Sequence, residues 1–343
     1  MEFGVFYQLP CTEGQTDSER YDDTIAQARL ADELGFDTVW LAELHFNRRF
    51  SVMPAPLLVG SAIAALTKRI KIGTAVNLVP LHHPIRLAEE TATLDLLSHG
   101  RAVFGIGRGS NPSHFQGYGV DVDEGRSGFE EAVDLIIQAW TTDELSYQGK
   151  HYRVDGVRVE PKPYQKPYPP VYVAANSPDT FGMVGSMGHN ILLAPMISTT
   201  EGARSGLEEY RRNLPATKPN LSTDSRTPAG GKVNINVPVF VADSREKARA
   251  GFEGSINNYL GTLRATSHGR GRDRAMKLSY ELICDEFAAV GEPAECVVKL
   301  EELREMYDAQ EFMCWFNTGG AVPQKEVEKS MELFAEKVMP HFR

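Results

Sequence analysis

Eight short, continuous apolar runs separated by helical stripes restrict the folds open to this chain of 343 residues. The runs cover residues 3–7, 38–42, 70–78, 102–106, 171–175, 191–193, 233–241 and 312–316. A sheet with one wet face would alternate apolar and polar residues; most of these runs do not, as in a parallel sheet covered on both sides. Between them, Ile25, Ala28, Ala31 and Leu34 recur at helical spacing and Gly35 then stops the helix. Phe129, Val133, Ile136 and Trp140 form a second stripe; Ala248, Phe252, Ile256 and Leu260 a third; Val327, Met331, Phe334 and Val338 a fourth. Asp243-Ser244 and Ser177-Pro178 read as helix starts, through a capping side chain or an early proline. The pattern predicts an α/β chain folded as a (β/α)₈ TIM barrel, with a doubly wound open sheet as the alternative. The opening strand-helix pair lacks a glycine fingerprint, which favours the barrel: one domain over 1–343, with insertions after strands four, six and seven.

Three stretches interrupt the repeating unit. Residues 144–170 hold Tyr147-Gln148-Gly149-Lys150-His151-Tyr152 and then a proline-rich run, which predicts a small hairpin and an extended segment. Residues 215–231 are polar and rich in Pro, Thr and Gly, so a loop is expected. Residues 264–285 include Ser267-His268-Gly269-Arg270-Gly271-Arg272, a poor helix former ahead of another helix, and read as a lid-like loop.

The formal charge of −10 disfavours nucleic acid and anionic membranes as partners. No apolar run approaches the roughly 20 residues that span a bilayer. The N-terminus, Met1-Glu2-Phe3-Gly4-Val5-Phe6-Tyr7, is not a signal peptide, so a cytoplasmic location is expected. Cys11, Cys284, Cys296 and Cys314 lack metal-ligand spacing, and His82-His83-Pro84 has no third ligand nearby; no metal site is expected.

In a barrel the chemistry sits at the C-terminal ends of the strands. Those ends supply Gln8-Leu9-Pro10, Glu43-Leu44-His45-Phe46, Thr74-Ala75-Val76-Asn77, Gly107-Arg108-Gly109-Ser110, and Ala174-Ala175-Asn176-Ser177 with Thr180 one turn on. Ser177, Thr180 and the free amides of a helix start make an anion nest. Arg108 offers a planar fork to a phosphate, and Arg126 stands near the next helix. His45 reads either as a proton-transfer group or as a satisfied polar residue at the rim. The glycine cluster is not Gly-x-Gly-x-x-Gly, because Ser110 occupies the third place, which argues against a Rossmann site. Phe6, Leu44, Phe46, Phe115 and Met196 near the expected mouth suggest a pocket for an aliphatic or aromatic compound.

Six segments carry a resemblance: Gly35-Phe36-Asp37-Thr38-Val39-Trp40-Leu41, Ile72-Gly73-Thr74-Ala75, His83-Pro84-Ile85-Arg86, Phe104-Gly105-Ile106-Gly107-Arg108-Gly109, Val171-Tyr172-Val173-Ala174 and Val338-Met339-Pro340. In this order and spacing the chain resembles the bacterial luciferase-like flavin monooxygenases over almost its whole length. The resemblance implies a TIM barrel binding FMN at the strand C-termini, with the phosphate on Arg108, Arg126, Ser177 and Thr180. It also implies a cis peptide at Ala75-Val76 beneath the flavin ring. The neighbouring strand-end residues Asn77, Ser110, Ala175 and Asn176 complete the candidate cofactor set. The family's mobile active-site loop matches residues 264–285.

Departures from the pattern matter too. Asn176 stands where luciferases carry Glu, Gly107 where they carry a cysteine, and Leu44 replaces the first His of their Glu-His-His-Phe, the catalytic one. Light emission from a long-chain aldehyde is therefore not expected, and His45 remains as the candidate acid/base. The resemblance implies an FMNH₂-dependent two-component monooxygenase. It would take reduced FMN from a separate flavin reductase and oxygenate a small organic substrate with O₂ through a C4a-peroxyflavin. An F420-dependent oxidoreductase on the same barrel and a non-catalytic flavin-binding homologue are the alternatives. A dimer, expected as a homodimer, would pair through helices flanking strands two and three.

Overall fold

The computed structural model describes residues 1–215, 231–267 and 269–343. Strands one (Glu2–Tyr7), two (Thr38–Leu41), three (Lys71–Thr74), four (Ala102–Gly107), five (Val171–Ala174), six (Asn190–Leu193), seven (Val233–Val241) and eight (Glu311–Trp315) are all parallel. Each pairs with the next, and strand eight pairs with strand one. This is the closed (β/α)₈ barrel expected from the eight apolar runs. The long third run breaks in two: strand three ends at Thr74, the Ala75–Val76 peptide is cis, and Asn77–Leu78 resumes pairing beside Ile106 and Gly107.

Large side chains fill the barrel where glycine makes room. Trp40 points inward, and a Cβ on Gly4 or Gly73 would come within 2.6 or 2.5 Å of its ring. Its indole meets Tyr172 edge-on at 5.2 Å, and Val103, Leu192 and Met313 complete this inner cluster. Outside, the helix Asp17–Leu34 starts in a Thr16–Glu19 capping box and stops at Gly35, whose φ of 84° suits a residue without a Cβ. The other three apolar stripes lie on the helices Phe129–Thr141, Arg245–Thr266 and Gln324–Lys337, and most of their residues are buried against the sheet.

The insertions follow strands four, six and seven. Residues 144–170 contain the expected hairpin, Leu145–Gln148 paired with Arg153–Val157. The loop expected at 215–231 falls almost wholly on residues 216–230, outside the described residues. Residues 264–285 carry more helix than expected: after the end of Arg245–Thr266, the helix Gly269–Lys277 falls on the poor helix former itself, ahead of the helix Tyr280–Glu286. Tertiary contacts override the weak propensity there. Arg264 donates to the carbonyls of Ala275 and Leu278, Ser279 caps the third helix, and Ala275, Leu278 and Ile283 are buried. A short strand, Ala289–Gly291, also escaped the sequence pattern; it pairs with Val239–Val241. The cysteines are free and buried, and the described residues hold no cluster of three or more His, Cys, Asp or Glu fit for a metal. No helix among them is long and apolar enough to cross a membrane.

Candidate active site

The strand C-termini share one rim, and the exits of strands four and five meet there. Arg108 Nη2 donates to Thr180 Oγ1 at 2.7 Å and to Asp179 at 2.6 Å. Ser177 Oγ lies 2.6 Å from Thr180 Oγ1. Ser177 is the N-cap of the helix Pro178–Met187, yet its side chain makes no capping hydrogen bond. The Thr180 amide turns back to the Ser177 carbonyl at 2.9 Å, and a helix start with no side-chain cap, beside a guanidinium and two hydroxyls, fits a phosphate. Asp179 is the anion on Arg108 in this structure, and the guanidinium holds its carboxyl below the usual range. Arg108 keeps further N–H donors unused by these contacts, so an incoming phosphate can bind it by displacing an exposed carboxylate.

Beside this nook, the cis Ala75–Val76 peptide forms a partly exposed shelf. The close packing of glycines on strand four sets its position: a Cβ on Gly107 would come within 2.7 Å of Val76 Cγ2. Below, Thr74 Oγ1 donates to Gly105 O at 2.6 Å and accepts from Asn77 Nδ2 at 2.9 Å. Phe6, Ala75, Val76 and Ala174 pack on the inner cluster and make an apolar surface at the mouth.

A second group of polar side chains lies at the exits of strands two and three. Glu43 is buried and accepts from His45 Nε2 at 2.9 Å, His82 Nε2 at 2.8 Å and the Leu78 amide at 2.8 Å. Burial opposes its charge, but these hydrogen bonds hold the carboxyl below its ordinary value. Burial likewise works against charging His82, yet Glu43 raises that imidazole above its usual value. His114 Nε2 accepts from Asn111 Nδ2 at 3.1 Å and from the His45 amide at 3.4 Å. Burial first, and nearby His45 second, press His114 down to about 4.

A pH dependence follows. The His114 value is depressed in the folded protein, so the unfolded chain binds more protons below its ordinary value of about 6.5. Stability is therefore expected to fall as pH drops from about 6.5 towards 4, and His114→Gln should flatten that fall. Urea unfolding at both ends of the window checks this; an unchanged pH slope in the variant contradicts it. His82 acts in the opposite sense, its contribution being present below its unfolded value and lost as pH rises through the raised folded one.

The structure brings the side chains of Arg108, Ser177 and Thr180 together. It does not bring Arg126 to them: Arg126 lies exposed on the short helix Val122–Ser127, its side chain making no hydrogen bond or ion pair among the described residues. Ser110 is exposed. Ala175 is buried, and Asn176 accepts from the Ala194 amide at 2.9 Å, tying strand five's exit to strand six's. Asn77 is buried beneath the shelf and holds Thr74. His45 sits under the rim with its ring on Glu43. Of the apolar candidates, Phe46 is exposed, Phe6 and Leu44 are half-buried, and Phe115 and Met196 are core. Sequence reasoning missed Glu43, His82, His114 and Tyr118 as a group; the available signal was a carboxylate two residues before His45.

Residues 1–310 match the family described as luciferase-like monooxygenase. The chain is 29% identical to the alkanal monooxygenase alpha chain of Photorhabdus laumondii, covering all of this chain and 98% of that one. It is 26% identical to the oxygenase component of a flavin-dependent trigonelline monooxygenase of Acinetobacter baylyi, covering 100% and 96%. Two uncharacterized Sinorhizobium fredii proteins align at 36% and 33% identity, and the chain spans 55% and 56% of their lengths. Among solved structures, monooxygenase RslO1 of Streptomyces bottropensis superposes with a TM-score of 0.87 at 27% identity over the whole of both chains. The FMN complex of the oxygenating constituent of 3,6-diketocamphane monooxygenase from Pseudomonas putida shares the fold, with a TM-score of 0.81 at 20% identity over 99% and 98% of the chains. The barrel, its rim and the match across residues 1–310 together make this chain a member of the luciferase-like monooxygenase family.

Proposed function

We propose that this protein is the oxygenase component of a two-component monooxygenase that uses reduced FMN and O₂. The observation that carries the reading is the meeting of Arg108, Ser177 and Thr180 at an uncapped helix start, beside the Ala75–Val76 shelf. Arg108, the two hydroxyls and the first-turn amides of Pro178–Met187 hold the phosphate, and Ala75 and Val76 support the ring. When bound in reduced form, FMN supplies the electrons that activate O₂ for transfer of one oxygen atom to an organic substrate. The chain's own work is to anchor the dianion, present an apolar mouth that limits water, and position a proton-transfer group. Phe6, Ala174 and the exposed Phe46 supply that apolar surface.

The relative named as an oxygenase component and the fold neighbour holding FMN support this reading. Reduced flavin then comes from a partner reductase. A homodimer is favoured by Leu58 and Leu66 on the helix Pro56–Leu66 and Leu97 on Pro84–Leu97, all exposed on the helices after strands two and three. Mixing the anaerobic protein–FMNH₂ complex with O₂ tests the function. Bound flavin is expected to return to its oxidised absorbance much more slowly than free FMNH₂. Reoxidation at the free rate, or turnover only with a deazaflavin, would overturn the proposal.

A further inference from the structure

Glu43, His45 and Tyr118 form one hydrogen-bonded line from a buried carboxylate to the open rim. His45 Nε2 contacts Glu43 Oε1 at 2.9 Å, which places the ring proton on Nε2 and leaves Nδ1 as an acceptor. Tyr118 Oη lies 3.3 Å from that Nδ1, and its ring packs edge-on over the imidazole at 4.9 Å. The His45 side chain is 2% exposed, whereas Tyr118 is 49% exposed, at the end of the helix Pro112–Tyr118. With Nε2 on Glu43 and Nδ1 beneath Tyr118, a substrate at the rim meets the phenol and not the imidazole. His82 Nε2 straddles the same carboxylate, 2.8 Å from Oε1 and 2.9 Å from Oε2, so Oε1 serves both imidazoles.

We propose that Tyr118 is the catalytic residue through which this protein moves a proton at its mouth, with His45, Glu43 and His82 as positioning residues behind it. The proposal rests on the rim being the oxygenation site. In the base direction, the substrate's O–H or C–H bond breaks and its electron pair stays on the substrate. That proton joins Tyr118 Oη as the phenol's own proton passes to His45 Nδ1. The resulting imidazolium is paired with the Glu43 carboxylate, and the reverse transfer returns the proton to product. No redox change occurs in the relay. The arrangement parallels a hydroxyl–imidazole–carboxylate triad, with a phenol in the hydroxyl's place.

The surrounding groups permit this. His114 faces the His45 ring at 5.3 Å, but its Nε2 already takes two donors and it stays neutral. Glu90 bears on His82 from the helix Pro84–Leu97. Phe46 leans on both rings, at 5.6 Å from each.

Two measurements test the relay. In wild-type protein, nitrogen-15 spectra of the histidine rings are expected to give His45 as the Nε2–H tautomer with a hydrogen bond accepted at Nδ1, and the Nδ1 signal should move in Tyr118→Phe. An Nδ1–H tautomer overturns the proposal whatever the flavin does, because that nitrogen could not then accept from Tyr118. The second measurement is the rate of hydrogen peroxide release after O₂ meets FMNH₂-loaded protein, followed between about pH 5 and 9. An ionisation in the wild-type profile should vanish in both Tyr118→Phe and His45→Gln, with rates about 100-fold lower. A Tyr118→Phe profile that superimposes on wild type, with FMNH₂ retained, overturns the proposal alone. Protein that does not retain FMNH₂ overturns the oxygenase reading, and the catalytic assignment falls with it.

Discussion

Lys232→Met is expected to destabilise the protein by about 3–5 kcal/mol in urea unfolding, because it leaves the Glu311 carboxylate without a cation inside the N-terminal end of the barrel. Lys232 Nζ lies 2.7 Å from Glu2 Oε1 and 2.8 Å from Glu311 Oε1. Glu311, whose side chain is 6% exposed, also accepts from Tyr172 Oη at 2.8 Å and Asn234 Nδ2 at 3.0 Å. Burial raises the Glu311 carboxyl above its ordinary value despite Lys232, while Glu2 is held below its own. Burial also opposes Glu2's charge, but it is nearer the surface and hydrogen-bonds both Lys232 and Lys71, so one ammonium deep in the barrel serves mainly Glu311. Methionine is one heavy atom shorter than lysine but close to it in volume, so the loss reports mainly charge rather than a cavity. Adding Glu311→Gln should recover part of the stability by removing the unpaired charge. A loss below about 1 kcal/mol would mean that the network is solvated and contributes little.

Gly105→Ala is expected to cost about 3 kcal/mol or more and to disorder the shelf at the mouth. A Cβ there would lie 1.7 Å from the carbonyl oxygen of Thr74, with the carbonyl carbon at 2.8 Å. That neighbour is backbone, so no rotamer change relieves the clash. Strand three must move, and with it the Ala75–Val76 peptide and the Thr74 hydroxyl bridging to Gly105. Weakened flavin binding should accompany the lower unfolding midpoint. Stability and flavin affinity matching wild type would show that the shelf is not set by this contact.

Much of the architecture was legible because a barrel strand covered on both faces has a simple signature. Every apolar run became a strand, and the four helical stripes became helices. Ala289–Gly291 was not legible, since three residues pairing only with the end of strand seven leave no periodic trace. The helix Gly269–Lys277 was hidden by glycines and arginines whose poor propensity is overcome by Arg264 and by buried Ala275 and Leu278. At the site, Ser177 and Thr180 could be read because they are three residues apart at a proline-marked helix start. Arg108 could be read because it follows a strand. The Glu43 network could not: His82 and His114 lie 39 and 69 residues from their partners Glu43 and His45, and single-chain spacing carries no signal at such range. Arg126 shows the converse, an arginine near a predicted helix start that the fold leaves at the surface.

A phosphate grip at the exits of strands four and five underlies the proposed function. Calorimetric titration under argon, comparing reduced FMN with reduced riboflavin, tests it most directly, because the two differ only in the phosphate. FMN is expected to bind roughly 30- to 150-fold more tightly, equivalent to about 2–3 kcal/mol. Arg108→Ala should remove most of that difference, and Asp179→Asn, which frees the guanidinium, should enlarge it. Equal affinity for the two flavins in wild-type protein would contradict the account.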